Sequence, residues 1–295
     1  MQAQAESIEI CAIVTAYQRI EQTVETIQRI LDCVPPPREI LVHVDSDQKA
    51  CATAIKQSFP FLKVLISRQN VGPGGGRNKL VAAATLDIVA SFDDDSYPID
   101  KDYFSTLMSL FVQFPDAGVV SARVFERGES IEPRADTFAW MADFSGGGCA
   151  YRKSLFVRSG GYVPLPVAYG MEEVDLALRL HAIGGRVLHS KSLRVYHNSD
   201  LSRHGSPRIT SASLANLALL AFLRYPVWLW IIGAGQIFNR VLWLFRNGRK
   251  CGVLSGLLAI PGHCWQHRGY RSIVTSAGLR SYLALRRKPV SVLAP

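Results

Sequence analysis

Apolar and polar positions in the first two hundred residues follow a strand-then-helix rhythm. Residues 8–14 are an apolar run closing on Thr15-Ala16-Tyr17, and runs this short read as buried strands. Residues 23–31 set Val24, Ile27, Ile30 and Leu31 at helical spacing, and Pro35-Pro36-Pro37 ends that helix. A second strand is predicted over 39–44, closing on Asp45-Ser46-Asp47, then a helix over 50–59 and a third strand over 62–67. A β-α-β-α-β order makes a parallel sheet wrapped by helices, so the strand ends at Thr15 and Asp45 should share one sheet edge. Leu86, Ile88, Val89, Ala90 and Phe92 form another apolar run, a buried strand or a buried helical turn by pattern alone. It ends in Asp93-Asp94-Asp95, a cluster that should share the sheet edge with Thr15 and Asp45. Helices are predicted over 103–114 and 153–157 and strands over 118–124 and 186–188, while 125–140 shows no single period.

The last quarter differs in kind. Residues 214–222, 227–238, 241–245 and 253–260 are almost wholly apolar, and Trp228, Trp230, Trp243 and Trp265 lie among or beside them. Each uninterrupted run is shorter than the roughly 18–20 residues of a spanning helix. Of the 33 Lys and Arg, 13 follow Asp200, and none of the 24 Asp and Glu do. Short apolar helices with Trp and unopposed cations predict a segment lying on an anionic membrane surface. A re-entrant pair, one tilted span, or helices packed on the core are the alternatives. A nucleic-acid-binding arm is disfavoured, because the segment is too apolar and its aromatics are not interleaved with its charges. The chain therefore divides into residues 1–205 and a basic helical extension, 206–295. Six scattered cysteines without a C-x-x-C pair fit reduced thiols better than a zinc site or disulfides. The polar, acidic opening lacks the marks of a secretory signal.

Three consecutive carboxylates need a positive partner or water, since burying them unpaired is costly. On an extended chain Asp93 and Asp95 point one way and Asp94 the other, so the first two can converge on one partner. Such hard oxygen ligands suit Mg2+ or Mn2+; a solvated acidic turn is the plainer account. Between the third and fourth strands, Gly72-Pro73-Gly74-Gly75-Gly76-Arg77-Asn78 leads into a helix expected from Asn78, a reasonable phosphate cradle. It is neither a Walker loop nor the dinucleotide fingerprint. A second glycine turn, Gly146-Gly147-Gly148, either shapes an acceptor cleft or only breaks structure. Glu172-Glu173-Val174-Asp175 opens a helix, with Asp175 and Arg179 as an i,i+4 pair. One of these carboxylates, poised by partial burial, would serve as a general base. His197, after two acidic clusters, is a metal candidate.

Ile13-Val14-Thr15-Ala16-Tyr17, Val44-Asp45, Asn70-Val71-Gly72 through Arg77-Asn78, Phe92-Asp93-Asp94-Asp95, Glu172-Glu173-Val174-Asp175-Leu176 with Arg179, and Tyr196-His197 occur in that order. Over residues 8 to about 200 the chain resembles the family 2 inverting glycosyltransferases. The resemblance implies an α/β GT-A fold, the Rossmann-like mixed sheet of nucleotide-diphospho-sugar transferases flanked by helices, here with a C-terminal helical membrane-associated extension. It implies that Thr15, Ala16, Tyr17 and Asp45 hold the nucleotide base, with Arg77 and Asn78 near the base, ribose or diphosphate. Asp93 would bind ribose with Asp94 beside it, and Asp95 a divalent metal, Mn2+ or Mg2+, with His197 as a further ligand. Glu173 matches the carboxylate that deprotonates the acceptor, where the family usually has Asp, and Glu172 is held open beside it.

The implied reaction is non-processive, since the Q-x-x-R-W motif is missing. It moves a sugar from a nucleotide-diphosphate donor to a hydroxyl acceptor, lipid-linked where the tail meets the membrane. UDP is the first carrier by frequency in the family, with dTDP and GDP as alternatives. The implied setting is surface polysaccharide or glycolipid assembly, peripheral or monotopic on the cytoplasmic face of the cell membrane. Two other readings compete: a decayed sugar-nucleotide-binding protein, and a nucleotidyltransferase, whose glycine-rich basic loop would replace Thr15-Ala16-Tyr17-Gln18.

Overall fold

Strand β4 (Ile88–Asp93) lies inside the sheet, with β1 (Ile8–Ala16) on one side and β8 (Gly148–Arg152) on the other. The computed structural model describes residues 8–199 and 205–293. Most of the polar opening, and the stretch just before the expected boundary at 205, lie outside the described residues. Beyond β1 come β2 (Pro37–Val44) and β3 (Lys63–Ile66), all parallel. Helices α1 (Ile20–Leu31), α2 (Lys49–Ser58) and α3 (Gly72–Ala83) make the crossovers, so the predicted parallel half is present. On the other side β8 runs antiparallel between β4 and β6 (Ala117–Glu126), and β6 pairs in parallel with β9 (Arg186–His197). Strands β5 (Ser96–Pro98) and β7 (Phe138–Met141) pair with β9, and β10 (Val290–Val292) closes the edge on β7. Helices α4 (Tyr103–Gln113), α5 (Lys153–Arg158) and α6 (Glu172–Ala182) complete the mixed α/β domain.

Alternate residues of the central strands feed two layers. Ile10, Ala12, Val14, Ala90 and Phe92 belong with Ile27, Ile30, Phe104 and Leu107. Cys11, Ile13 and Val89 belong with Leu80, Phe156 and Leu176. Strands buried on both faces carry continuous apolar runs, which is why these were legible. Others were not: the second glycine turn supplies β8 from Gly148, and β9 is 12 residues long where only 186–188 was expected.

Helix α3 begins at Gly72, not Asn78. Gly72 has φ +69°, which L side chains rarely adopt, and a Cβ there would collide with the Leu165 carbonyl oxygen. Pro73 sits in the first turn, where its missing N–H is no loss. The Asp45 carboxylate accepts the amides of Val71 and Gly72 at 3.0–3.2 Å. The first amides of the helix are thus taken by the chain's own carboxylate.

The C-terminal residues form α7 (Pro207–Arg224), a 3-10 turn (Val227–Leu229), α8 (Trp230–Arg246), α9 (Val253–Gln266) and α10 (Ser276–Arg287). Helices α8 and α9 pack on α7. Helix α10 packs on α6 and gives Leu279 and Tyr282 to the second core layer. Helix α8 runs through Asn239-Arg240, where the apolar pattern breaks. Val227–Arg246 is therefore 20 residues long, and among the described residues it is the one helix long and apolar enough to cross a membrane.

Candidate active site

Between β1 and β4 the strand order reverses, and open α/β sheets bind ligands beyond the strand ends at such a point. Thr15 and Asp93 are register partners there, and Thr15 Oγ1 donates to Asp93 Oδ1 at 3.3 Å. Ser96 Oγ accepts the Asp93 amide at 2.8 Å and donates to the Gly147 carbonyl at 2.6 Å, fixing the turn after β4.

Arg77 of α3 is 2% exposed despite its charge. Its Nε donates to Ser91 Oγ at 2.9 Å and its Nη2 to Asp93 Oδ1 at 2.5 Å. Glu172 and Glu173, the first residues of α6, lie in the field of the same guanidinium. One buried cation thus pairs with the strand-end carboxylate of Asp93 and offsets charge at two carboxylates that open a helix. Burial raises the Glu172 carboxyl well above the usual range; the Glu173 charge adds to this and Arg77 partly offsets it. Its Oε1 is buried without a hydrogen-bond partner. Burial raises Glu173 as well, against Arg77 and the Gly146 amide, but Glu173 keeps partial exposure.

Glycine admits these carboxylates. A Cβ at Gly74 would collide with Glu172 Oε1 and one at Gly147 with Asp93 Oδ2. One at Gly146 would lie 2.7 Å from Glu173 Oε1 and 3.1 Å from Arg77 Cζ. Gly146 and Gly147 therefore line the carboxylate cluster, while Gly148 lies in β8 against Val124.

Asp94 and Asp95 sit in the turn between β4 and β5, where the alternation of an extended chain no longer applies. Asp93 and Asp95 do not converge on one partner, and Asp94 does not face away. Asp94 and Asp95 share Arg19, which lies 3.0 Å from Asp94 Oδ1 and pairs with Asp95 Oδ2. Asp94 also accepts the Tyr17 amide at 3.0 Å, and burial pushes its carboxyl up to about 7 against the pull of Arg19. At the end of β9, His197 Nε2 is 3.2 Å from Asp95 Oδ1, and Nδ1 is 3.3 Å from Glu126 Oε1. Burial alone would lower this imidazole; the adjoining Asp95 carboxylate and the charges of Asp93 and Glu126 outweigh it and raise the imidazole to about 9.

Among the described residues no three His, Cys, Asp or Glu are spaced to hold an ion by themselves. Asp95 Oδ1 is nonetheless buried without a formed hydrogen bond and faces His197 Nε2. Two protein donors fit Mg2+ or Mn2+, which usually complete their shells with substrate phosphates and water.

Of the other expected residues, Asp45 is engaged by backbone amides, and the Ala16 carbonyl accepts the Asp45 amide at 3.1 Å. Tyr17 exposes its ring. The Asn78 amide pairs with both backbone groups of Tyr162, at 2.9 and 2.8 Å. Arg19, Ser91, Ser96 and Glu126 were not anticipated. Arg19 is visible as a base just after Tyr17, but nothing in its spacing tells that it reaches the acidic turn.

A mixed sheet of this order, with a later helix returning carboxylates to the end of β4, is a GT-A-type fold. Solved structures sharing it include the mannosyltransferase PcManGT from Pyrobaculum calidifontis in complex with GDP-Man and Mn2+ (TM-score 0.57, 15% identity, 95% of this chain and 76% of that one). GalNAc-T7 with UDP, GalNAc and Mn2+ matches with TM-score 0.60 and 14% identity over 88% of this chain and 57% of that one. S. aureus TarS 1-349 matches with TM-score 0.52 and 14% identity over 94% and 92%. No curated protein matches the sequence. The sequence matches the glycosyl transferase family 2 model over residues 11–165, more than half of the chain, and the protein belongs to that family.

Proposed function

We propose that the protein transfers a sugar, one or a few per acceptor, from a nucleotide-diphosphate donor to a hydroxyl, with inversion, beyond the end of β4. The observation that carries this is the buried Arg77–Asp93 pair, with Glu173 and Arg77 both against Gly146 and Glu172 next along α6, beside the Asp95–His197 pair. Glu173, partly exposed, takes the acceptor proton, and its raised pKa makes it the stronger base near neutral pH. Glu172, buried and with its carboxyl raised by that burial, stays out of the proton transfer. Asp93 Oδ1 is held by Arg77 and Thr15, which leaves Oδ2 for a ribose hydroxyl. Thr15, Ala16, Tyr17 and Asp45 border the base, Asp94 lies beside the donor, and Asn78 supports the site through Tyr162. Asp95 and His197 would hold Mn2+ or Mg2+, which when bound offsets charge on the leaving diphosphate. The ligands of PcManGT and GalNAc-T7 support a nucleotide sugar and a divalent ion, with UDP put first.

Residues 1–205 are proposed as the catalytic unit and 206–295 as an extension in which α8 and α9 associate with the membrane while α10 and β10 return to the sheet. The setting proposed is surface polysaccharide or glycolipid assembly at the cytoplasmic membrane face, with a lipid-linked acceptor. The acid-free basic tail and the apolar Val227–Arg246 helix support it.

A panel of nucleotide sugars, each with Mn2+, tests the donor by thermal stabilisation. A ligand that binds only the native state at a hundred times its Kd adds about 2.7 kcal/mol. One donor should stand out, and Asp95→Asn should abolish the part that depends on Mn2+. The proposal fails if no nucleotide sugar stabilises the protein, or if excess EDTA changes nothing.

A further inference from the structure

Helices α8 and α9 leave an apolar face uncovered. On α8, Ile231, Phe238, Leu242 and Phe245 recur at helical spacing and are all exposed, Ile231 to 78%. On α9, Leu254, Leu258 and Trp265 do the same, Leu258 to 73%. The opposite faces are already used. Gly233 of α8 packs against Ala221 of α7, and Gly256 of α9 against the Ser211 backbone. Leu244 and Val253 share a small buried cluster with Leu214 of α7. The outer stripes are thus surplus to the packing of the fold.

The charges around these stripes are of one sign. No Asp or Glu occurs after Asp200, against 13 Lys and Arg. Arg240 and Arg249 lie over the Trp243 ring, at 4.5 and 5.4 Å, and Arg268 lies over Trp265 at 4.1 Å. Paired Trp and Arg with an apolar stripe suit the boundary between headgroups and acyl chains, where the ring is half wet and the cation meets lipid phosphate.

Spanning fits less well than lying flat. Gln236, Asn239 and Arg240 fall in the middle of α8, where a bilayer centre penalises them. Helix α9 has 14 residues, or roughly 21 Å, against a hydrocarbon core of about 30 Å, and it carries Pro261 and His263.

We propose that the outer stripes of α8 and α9 are a monotopic docking surface for an anionic membrane leaflet, inserted to headgroup depth from one side. This deepens the proposed membrane setting and rests on no part of the catalytic assignment, so vesicle binding and sugar transfer fail independently.

The test is flotation of the full chain with vesicles of phosphatidylcholine alone or mixed with phosphatidylglycerol. Binding should favour the anionic vesicles and weaken, without vanishing, at high salt, because salt screens the charges and leaves apolar burial intact. Ile231→Ser with Phe238→Ser, and separately Leu254→Ser with Leu258→Ser, should each weaken binding about tenfold or more, given two apolar side chains withdrawn from lipid. These side chains are exposed, so thermal melting should be unchanged. Changing Arg246, Arg249 and Lys250 together to Gln should reduce the preference for anionic lipid.

Topology is read at exposed Cys251, in the turn between α8 and α9, with Cys264→Ser as background. A membrane-impermeant maleimide added outside should label it on bound protein. Protection of Cys251 would instead mean that α8 crosses the bilayer and would overturn the monotopic surface. So would indifference to anionic vesicles at low salt, or a dimer that the Ser variants dissociate without any vesicle binding.

Discussion

Arg224 Nε lies 2.5 Å from Asp175 Oδ1, so α7 is ion-paired to the helix that opens with Glu172 and Glu173. Both residues are buried, and Arg179 Nη2 takes the other carboxylate oxygen at 2.6 Å. Arg224 Nη1 also donates to the Tyr270 carbonyl at 2.7 Å, drawing residues beyond α9 to the same point. Removing one partner of a buried pair costs about 3–5 kcal/mol, because the other charge is left uncompensated. Arg224→Leu should destabilise the protein by about that amount, and Asp175→Leu by at least as much, since it leaves two cations facing each other. Urea unfolding measures both. Losses of about 1 kcal/mol or less, the level of exposed pairs, would show that this junction does not hold α6.

Glu173→Gln keeps the size of the side chain and removes its ability to accept a proton. Turnover should fall by about 10² to 10⁴, the usual worth of a general base, while donor binding is kept. The base must be ionised to act, and burial raises its pKa, so activity should fall away on acidification at a higher pH than an ordinary Glu would set. The pH profile of kcat with a saturating donor shows this limb. If Glu172→Gln is the inactive variant and Glu173→Gln turns over normally, the two roles are exchanged.

Arg19 stands where a metal at Asp95 would compete with it. Its guanidinium side is partly exposed, so the pair itself contributes little to stability after solvent screening. Arg19→Gln should leave the protein folded and strengthen Mn2+ binding in the absence of donor, since Asp95 Oδ2 is freed. Titration of free Mn2+ by electron paramagnetic resonance gives the affinity directly. An unchanged or weaker affinity would show that Arg19 and the ion do not share the carboxylate.

His43 is buried under α3, with Nε2 2.7 Å from Ser67 Oγ. Burial lowers its pKa to about 4, against the opposing charge of Asp45. An unfolded chain would take up that proton near pH 6.5. The unfolded state therefore binds more protons between these values, and stability present above pH 6.5 is lost as pH falls toward 4. The shift corresponds to about 3 kcal/mol. His43→Gln should remove this component, so the wild-type advantage should shrink between pH 7 and pH 4.5 in urea unfolding. A constant difference between the two proteins would mean that His43 is charged inside the fold.

By itself the sequence determined the parallel half of the sheet and the family. Strands β1, β2 and β4 are buried on both faces, so their residues are apolar whatever their neighbours, and a local window sees them. Their carboxyl ends carry polar residues because the sheet edge is where the chain meets solvent and ligand. Thr15 and Asp93 were therefore placed at one edge before their register was known.

Apart from the Asp175–Arg179 pair, which helical spacing predicted, only the tertiary structure decided what the charged groups face. Helix α3 was misread because glycine costs about 1 kcal/mol per helical residue locally, while Gly74 and Gly76 are needed to let Glu172 and His43 approach. Asp94 and Asp95 turned toward Arg19 because the strand ends at Asp93, a boundary set by pairing and not by composition. Arg77 was read as part of a glycine turn beside the donor and is a buried counterion of Asp93, because α3 and the end of β4 come together only in the folded sheet. Composition fixed that the tail is apolar and basic; which of its apolar residues face α7 and which face outward depends on the packing of helices distant in sequence.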